Sequence, residues 1–201
     1  MDVEQDGFGH GGLRCEGTLG RRRRCVYSLV SIHGNMAGTS NPTRERIISA
    51  ASKLFYSEGI RAVSVDAVAE KAGLTKRTLY YHFRSKDDLI AAYLAARDQP
   101  NLALFKRWFD EADGNLSAKV RAIFVHLARN AGHPKWKGCG FLRTSAELAN
   151  LPGHPAIKIG AAHKKKFEAW LRVTFEEAGI VGAARLARQI LLLLDGSFAV
   201  V

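Results

Sequence analysis

The stretch that decides the fold lies at residues 65–84 and reads VDAVAEKAGLTKRTLYYHFR. Two short amphipathic segments are separated there by Ala72-Gly73-Leu74-Thr75, and such a tight turn needs a glycine where the backbone takes a positive φ. Ala69 is small enough for the second segment to cross the first closely. The spacing therefore predicts two short helices joined by a tight turn, which is the packing of a helix-turn-helix.

The second of these helices has an outward face without a carboxylate. A helix that lies between phosphate groups should not carry negative charge, whereas a solvated helix usually mixes both signs. The face therefore favours a recognition helix that enters the DNA major groove, and an ordinary helical hairpin is the alternative. Its outward side chains are Lys76, Arg77, Thr78, Tyr80, Tyr81 and His82.

The flanking sequence predicts one helix before this pair and one after it. Asn41 can cap a helix that begins at Pro42 and ends at Gly59, because proline fits the first helical position and glycine fits the C-terminal stop. Ser85 opens a capping box of the form S-x-x-D. We expect the helix after Ser85 to stop near Pro100, since a proline inside a helix removes a hydrogen bond.

Several short motifs follow one another along residues 42–94. The first predicted helix contains Ala-Ala and Leu-Phe pairs, the second contains Val68-Ala69 and Ala72-Gly73, and the third contains Leu-Tyr-Tyr-His-Phe at 79–83, followed shortly by Ser-Lys. With these motifs the segment resembles, without a gap, the DNA-binding domain of the TetR/AcrR family of transcriptional regulators. The resemblance implies a homodimer in which a helical ligand-binding domain follows the DNA-binding domain.

The same resemblance implies roles for individual residues, with a double-stranded DNA operator as the partner. Tyr80, Tyr81, His82 and Lys86 match positions that contact phosphates in the family. Lys76, Arg77 and Thr78 match positions that often touch bases. The predicted DNA-binding set is therefore Thr75, Lys76, Arg77, Thr78, Tyr80, Tyr81, His82 and Lys86.

Residues 99–201 are predicted to be helical without reference to the family. Apolar residues recur at helical spacing, and glycine and proline clusters separate the segments. The predicted fold class is therefore all-α, with an N-terminal three-helix helix-turn-helix domain and a C-terminal helical domain for ligand binding and dimerisation. Five C-terminal helices are predicted. The first ends at Asp113-Gly114, and the second begins at Ser117. The remaining three cover Phe141 to Leu148, Pro155 to Gly179 and Gly182 to Val201.

The last predicted helix is apolar around most of its circumference. A helix of this kind must be buried on both sides, so we expect a second subunit to cover the side that its own domain leaves open. The long helix from Pro155 is its expected companion in the interface. Leu186, Ile190, Leu193 and Leu194 are expected to face their own domain, and Leu191, Leu192 and Phe198 are expected to face the partner.

Three parts of the chain follow from these patterns. Residues 1–38, rich in glycine and arginine, are predicted to be a disordered extension. Residues 39–88 are predicted to form the helix-turn-helix DNA-binding domain, and residues 89–201 the helical effector-binding and dimerisation domain. Because the last apolar helix runs to Val201 without a polar cap, we expect this domain to be truncated at its C-terminal end.

The charge balance suits a phosphate-bearing partner without locating it. The chain has 30 lysines and arginines against 19 aspartates and glutamates, for a formal net charge of +11. Residues 91–201 hold 16 basic and 9 acidic residues, so the excess is largest in the C-terminal half. Charge alone therefore does not identify a nucleic-acid face.

The sequence has no recognisable catalytic set. It contains neither a G-x-S-x-G elbow nor a glycine-rich phosphate loop between a strand and a helix. Cys139 stands between two glycines, but a lone cysteine in a helical domain is more often a packing residue than a nucleophile. No metal-ligand spacing connects His126, His133, His154 and His163. We therefore expect neither enzymatic activity, nor a cofactor, nor a metal site.

Cysteine usage and hydropathy bear on the compartment. Three scattered cysteines are too few for a disulfide framework, which favours a reducing, cytoplasmic setting. The longest purely apolar run is Ile190 to Leu194, far short of the roughly 20 residues that a membrane-spanning helix needs. We therefore expect no membrane partner.

The C-terminal half is rich in aromatic residues for a small helical bundle. Ligand sites are concave and mostly apolar, so these residues are candidates for an effector cavity, with ordinary core packing as the alternative. The candidates are Phe105, Trp108, Phe109, Phe124, Trp136, Phe141 and Trp170.

These observations favour a cytoplasmic, homodimeric DNA-binding transcriptional regulator that responds to a ligand. The leading hypothesis is a repressor that a small-molecule effector releases from its operator. One alternative is a helical small-molecule-binding protein or enzyme whose helical hairpin is incidental. Another is an architectural protein that binds any duplex with similar affinity.

Overall fold

The computed structural model describes residues 41–198, and within this range the chain forms eight α-helices and no strand. The predicted all-α fold is confirmed there. The predictions for residues 1–38 and for the end of the last helix at 199–201 lie outside the described residues. The helices are α1 (Pro42–Glu58), α2 (Val65–Lys71), α3 (Lys76–His82), α4 (Lys86–Asp110), α5 (Leu116–Ala131), α6 (Gly140–Glu147), α7 (Pro155–Glu177) and α8 (Ala183–Ser197).

Each of the first four helices begins at a polar cap, and the predicted caps Asn41 and Ser85 are among them. The Asn41 side chain accepts hydrogen bonds from the first backbone N–H groups of α1, and Pro42 occupies the first helical position. Ser64 Oγ accepts from Ala67 N at 3.0 Å, and Ser85 Oγ accepts from Asp88 N at 3.0 Å. Each cap satisfies a backbone donor that would otherwise lack an intrahelical partner.

The crossing of α2 and α3 follows the predicted packing. Val68 and Leu79 are fully buried, and Ala69 is nearly so. Gly73 has a φ of +64° in the turn between the helices, as the spacing requires. The Arg46 guanidinium donates to Ala72 O at 2.7 Å and so ties α1 to this turn. These contacts fix the orientation of α3 relative to the rest of the domain.

Helix α4 does not stop near Pro100, and that prediction is wrong. The helix continues to Asp110 with Pro100 inside it. Leu94, Leu102 and Phe105 are buried along its inner side, so the apolar register passes through the proline without a break. A proline in a helix costs about 3 kcal/mol, whereas burying a leucine or phenylalanine contributes about 1.5–3 kcal/mol each. The burial of several residues beyond Pro100 therefore outweighs the free-energy cost of the proline.

Helix α5 begins one residue earlier than the predicted start suggests. Its cap is Asn115 and not Ser117, because Asn115 Oδ1 accepts a hydrogen bond from Ala118 N at 3.0 Å. Ser117 lies inside the first turn. Gly114, with a φ of +99°, provides the sharp turn before the cap.

Two leucines of α8 face opposite sides from those predicted. The buried stripe of α8 runs through Ala183, Ala187, Leu191 and Leu194, a spacing of about one helical turn at each step. Leu191 is therefore buried in its own chain, whereas Leu193 is 61% exposed. Leu192 is 63% exposed, as expected for the outward side. Phe198, also predicted to face the partner, is instead half-buried and packs against the core of its own chain. The broad apolar circumference of α8 concealed which of these leucines point inward.

The first prediction concerns Gly73. Gly73→Ala should lower the free energy of unfolding by about 1–2 kcal/mol, because a Cβ disfavours the left-handed backbone conformation. Gly153→Ala is the matched control, since it has no positive φ and no heavy atom within 4 Å of an added Cβ. Chemical denaturation of both variants measures the difference. Equal stabilities would show that the turn tolerates a side chain.

Candidate nucleic-acid interface and cavity

Helix α3 places its apolar residue inward and its aromatic and polar residues outward. Leu79 is fully buried, whereas Tyr81 is 85% exposed, and Tyr80 and Arg77 are also exposed. Thr75 caps the helix because its Oγ1 accepts from Thr78 N at 3.1 Å, and the two hydroxyl oxygens are 2.9 Å apart. The exposed side thus offers hydrogen-bond donors and planar rings, the groups that contact phosphates and base edges.

Lys76 is held by a carboxylate that the sequence prediction did not include. Its Nζ donates to Asp66 Oδ2 at 2.9 Å, and this hydrogen bond raises the pKa of Lys76 above its ordinary value. Asp66 belongs to the first turn of α2, so the acid-free face of α3 has an acidic neighbour on the adjacent helix. The contact depends on how the two helices cross, and residue types along α3 alone could not reveal it.

The remaining predicted contacts flank the end of α3. Tyr81 and His82 pack edge to face with ring centroids 5.2 Å apart. Lys86 is the first residue of α4 and is half-buried, and burial lowers the pKa of its ammonium. The N-terminus of a helix attracts phosphate through its free N–H groups. Lys86 therefore places a cation at the N-terminus of α4, in the same first turn as the carboxylates of Asp87 and Asp88.

A small cavity lies among α4, α6, α7 and α8. Its volume is about 10 Å³, which is room for about one water molecule. Ordinary ligand pockets measure about 300–1,000 Å³, so a larger ligand requires the walls to move apart. The lining residues are Arg97, Asn101, Phe105, Cys139, Gly140, His163, Lys164, Phe167, Leu191, Leu194 and Phe198.

The predicted aromatic candidates lie at different distances from this cavity. Phe105 lines it. Phe141 stacks on the lining residue His163 at 3.9 Å between ring centroids, and Trp136 stacks on Phe198 at 5.8 Å. The others contact the surrounding core: Trp108 stacks on His126, Phe109 packs against Trp170, and Phe124 packs against the buried cluster of the C-terminal helices.

Sequence reasoning missed the polar lining residues. Arg97, Asn101 and Phe105 follow one another at one-turn intervals on α4, and this spacing could have indicated them. The expected stop at Pro100 divided the series and concealed it. Cys139, considered only as a packing residue or a nucleophile, stands at the cavity wall and is buried.

A hydrogen-bonded joint connects the loop at the cavity to the C-terminal end of α1. Lys137 N donates to the Tyr56 hydroxyl at 3.1 Å, and that hydroxyl donates to Gly138 O at 3.3 Å. Arg143 donates to Tyr56 O at 2.6 Å. Burial raises the pKa of Tyr56, so its hydroxyl stays protonated as a donor. These hydrogen bonds fix the loop and α6 to the C-terminal end of α1.

A second contact of the same joint involves Arg61. Its backbone N–H donates to Glu147 Oε2 at 2.9 Å, and its Nε donates to Glu147 O at 2.8 Å. Its Nη2 also donates to Asn150 Oδ1 at 2.9 Å. The segment after α1 is thus fixed to the end of α6 by backbone and side-chain groups together.

Behind the cavity, two aspartates pair with the lining residues His163 and Lys164. His163 Nδ1 lies 2.8 Å from Asp98 Oδ1, and Lys166 pairs with the same carboxylate. Burial raises the pKa of Asp98, but the hydrogen bonds from Lys166 and His163 outweigh it and hold the pKa below its ordinary value. Burial lowers the pKa of His163. Lys164 pairs with Asp195.

The predicted absence of a metal site concerned four histidines. His154 caps α7, because its Nδ1 accepts from Ala156 N at 3.1 Å, and its Nε2 lies 3.2 Å from Asp87 Oδ1. His126 and His163 stack on aromatic rings. Within residues 41–198, no group of three or more His, Cys, Asp or Glu side chains is placed to hold a metal ion. Nor is any helix of that range both long and apolar enough to cross a membrane.

The crossing of α2 and α3 and the exposed face of α3 define the class of the N-terminal domain as a helix-turn-helix. Residues 47–93 match the family described as "Bacterial regulatory proteins, tetR family". The solved structure of a TetR-family transcriptional regulator from Streptomyces coelicolor is 31% identical, with a TM-score of 0.69, over 78% of this chain and 82% of that one. The chain belongs to the TetR family of transcriptional regulators, as its sequence motifs predict.

Curated relatives match over shorter segments. The HTH-type transcriptional regulator TtgR of Pseudomonas putida is 40% identical over 93 residues, which are 44% of this chain and 44% of TtgR. The HTH-type transcriptional regulator UidR of Escherichia coli is 36% identical over 72 residues, which are 36% of this chain and 37% of UidR. The chain therefore matches less than half the length of these relatives.

The second prediction concerns the pair between Lys76 and Asp66. Asp66→Asn should tighten binding to duplex DNA and steepen its salt dependence by about one unit, because Lys76 becomes available to a phosphate and one anion is removed. Fluorescence anisotropy over a salt series measures both quantities. Glu70→Gln is the matched control, since Glu70 is an exposed carboxylate on the same helix. An equal gain in both variants would show that only net charge matters.

Proposed function

We propose that this protein is a cytoplasmic repressor that binds a specific DNA operator through α3 and is released by a small-molecule effector. The observation that carries the proposal is the exposed side of α3, which presents donors and aromatic rings around a buried leucine. Membership of the TetR family supports the same activity. In this proposal residues 39–88 form the DNA-binding unit, and residues 89–201 form the effector-binding and dimerisation unit.

The roles proposed for individual residues follow their positions on α3 and at the start of α4. Arg77 is exposed in the first turn of α3, the end that meets base edges in helix-turn-helix proteins. Its planar guanidinium can make two parallel hydrogen bonds to guanine. Lys76 and Thr78 are proposed to lie beside it at the bases, and Thr75 fixes the start of the helix. The proposed phosphate contacts are Tyr80, Tyr81, His82 and Lys86.

We further propose that α7 and α8 form the homodimer interface. The outer side of α8 exposes Leu192 and Leu193, and α7, which packs along α8, exposes several alanines. Adjacent exposed leucines on a well-packed helix are typical of a surface that a partner covers. A second copy would also supply the second recognition helix that a two-part operator needs.

The alternatives predict different behaviour. A helical enzyme or carrier would leave the donor-rich face of α3 without a role, and we propose that the protein acts without catalysis. An architectural protein would bind cognate and random duplexes about equally. Selection of a preferred duplex from a random pool by the full chain therefore separates a regulator from an architectural protein, and a failure to enrich any sequence would contradict the proposal.

The third prediction compares Arg77 with Lys86 on that selected duplex. Arg77→Ala should weaken cognate binding by about 1–3 kcal/mol and leave binding to scrambled duplex nearly unchanged, because a base contact acts only on its own sequence. Lys86→Ala should weaken both and reduce the salt slope by about one unit. Competition binding with cognate and scrambled duplexes measures the specificity ratio. An unchanged ratio for Arg77→Ala would place Arg77 on a phosphate.

The fourth prediction concerns the dimer. The double variant Leu192→Glu with Leu193→Glu should sediment as a monomer where the parent is a dimer, because a carboxylate buried at an interface lacks a partner. Leu151→Glu, an exposed leucine between α6 and α7, is the matched control and should remain dimeric. A dimeric double variant would mean that another surface holds the subunits together.

A further inference from the structure

We propose that the effector is a small organic anion, specifically a hydroxylated aromatic carboxylate, and that Arg97 and Asn101 of α4 bind its two polar groups. This inference rests on the proposed function, because it names the chemistry of the molecule that releases the operator. Four features of the cavity support it: its charge, the placement of Arg97, the orphaned acceptor of Asn101, and its aromatic walls.

The charge of the lining has one sign. Arg97 and Lys164 bring cationic groups to the cavity, and the part of the chain that the structure describes contributes no aspartate or glutamate to the wall. Asp98 and Asp195, which pair with His163 and Lys164, are not among the lining residues. Because the Asp195 carboxylate offsets the charge of Lys164, the cationic group that a ligand meets at this wall is the Arg97 guanidinium, which repels a cation and attracts an anion.

Arg97 is oriented before any ligand arrives. Its guanidinium carbon lies 5.1 Å from the ring centroid of Tyr56 and 5.6 Å from that of Tyr93. Stacking on aromatic rings restricts the planar group, so less side-chain freedom is lost when it binds a ligand. A guanidinium is also the side chain that best matches the two oxygens of a carboxylate. The geometry therefore favours a planar carboxylate over a neutral polar group.

Asn101 adds a second, independent requirement. The residue is only 6% exposed, and its Oδ1 is buried without a hydrogen-bond partner among the described residues. A buried acceptor in this state is costly, and a ligand that carries a donor would relieve the cost. Asn101 lies one helical turn from Arg97 on the same side of α4. The ligand should therefore carry a hydroxyl group close to its carboxylate-bearing ring.

The rest of the wall is apolar and aromatic. Phe105 and Phe167 pack edge to face with ring centroids 5.2 Å apart, and Leu191 and Leu194 complete this side. Phe198 is half-buried and stacks on Trp136. Because the cavity has room for only about one water molecule, a ligand would enter by taking space from such a side chain. A single aromatic ring is the ligand body that replaces a phenylalanine ring with the least rearrangement.

Binding at Arg97 also reaches the DNA-binding helices. The Tyr56 ring that holds the guanidinium belongs to α1, and its hydroxyl and carbonyl anchor the loop and helix beside the cavity. A carboxylate that draws Arg97 toward the cavity changes this contact, so the ligand favours one position of α1 over another. That difference in affinity between two states is what an effector requires.

The fifth prediction tests this chemistry with four probes of one shape. 4-Hydroxybenzoate carries both groups, benzoate lacks the hydroxyl, 4-hydroxybenzamide lacks the charge, and 4-hydroxybenzylamine reverses it. Titration of the full chain by calorimetry and tryptophan fluorescence should rank them in that order. The acid should bind at least about tenfold more tightly than the amide, as expected for a hydrogen bond to a charged group. Release of the selected operator duplex should follow the same order.

Variants of Arg97 and Asn101 test whether these two residues determine the affinity order of the four probes. Arg97→Gln should reduce the affinity for 4-hydroxybenzoate to that for the amide, and Asn101→Leu should remove the preference for 4-hydroxybenzoate over benzoate. Arg121→Gln, an exposed arginine on α5 outside the cavity, is the matched control and should keep the parental ranking. The response of each variant is compared with its own thermal unfolding, so a loss of folding is distinguished from a loss of binding.

Specific outcomes overturn the inference. These are no binding of either acid at millimolar concentration, an amide or amine that binds as tightly as the acid, or an Arg97→Gln variant that keeps the parental ranking. Operator binding without any probe is measured in parallel. Specific DNA binding combined with one of these results rejects only the effector chemistry, whereas the absence of specific DNA binding rejects the proposed regulator.

Discussion

Helix α4 continues through Pro100 because apolar residues on both sides of the proline are buried on one face, and both sites depend on this continuity. Its first turn carries Lys86 beside α3, and its middle carries Arg97 and Asn101 at the cavity. A helix has a fixed rise and pitch, so residues along it keep their relative positions unless the helix bends, and a shift of one part moves the whole helix. The end of α4 beside α3 and the cavity are therefore mechanically linked.

The carboxylate-free face of α3 could be predicted from the sequence, whereas the ion pair that Lys76 makes with the neighbouring helix could not. A run of donors and rings without a carboxylate is visible from residue types, because it depends only on positions within one helix. The ion pair between Lys76 and Asp66 is not visible from residue types, because it depends on the crossing of α2 and α3. In the proposed DNA complex Lys76 would therefore exchange the Asp66 carboxylate for a group on the DNA, whereas Arg77 begins exposed.

Local signals predicted the helices well, and long-range packing decided the rest. Asn41, Ser64, Thr75 and Ser85 cap helices because a cap needs only a side-chain oxygen a few residues from a free N–H group. Pro100 misled the prediction because its local cost is outweighed by burial against distant helices. The inward leucines of α8 and the polar lining of the cavity were concealed for the same reason, since only the packed neighbours determine which side of a helix is buried.

The strength of the joint between the cavity and α1 suits a regulator. Allosteric coupling typically amounts to about 1–3 kcal/mol, and one hydrogen bond to a charged group contributes about 1.5–3 kcal/mol. The bonds from Arg143 to Tyr56 O and from Arg61 to Glu147 each involve a charged group, so the loss of one of them would match the coupling that the proposed effector response requires. Helix α1 then reaches the recognition helix through Arg46, which donates to Ala72 O at the turn before α3. In the proposed regulator, a displacement of the loop at Gly138 would reach the C-terminal end of α1 through the neutral bonds of the Tyr56 hydroxyl, and the charged bond from Arg46 would pass it on to the turn before α3.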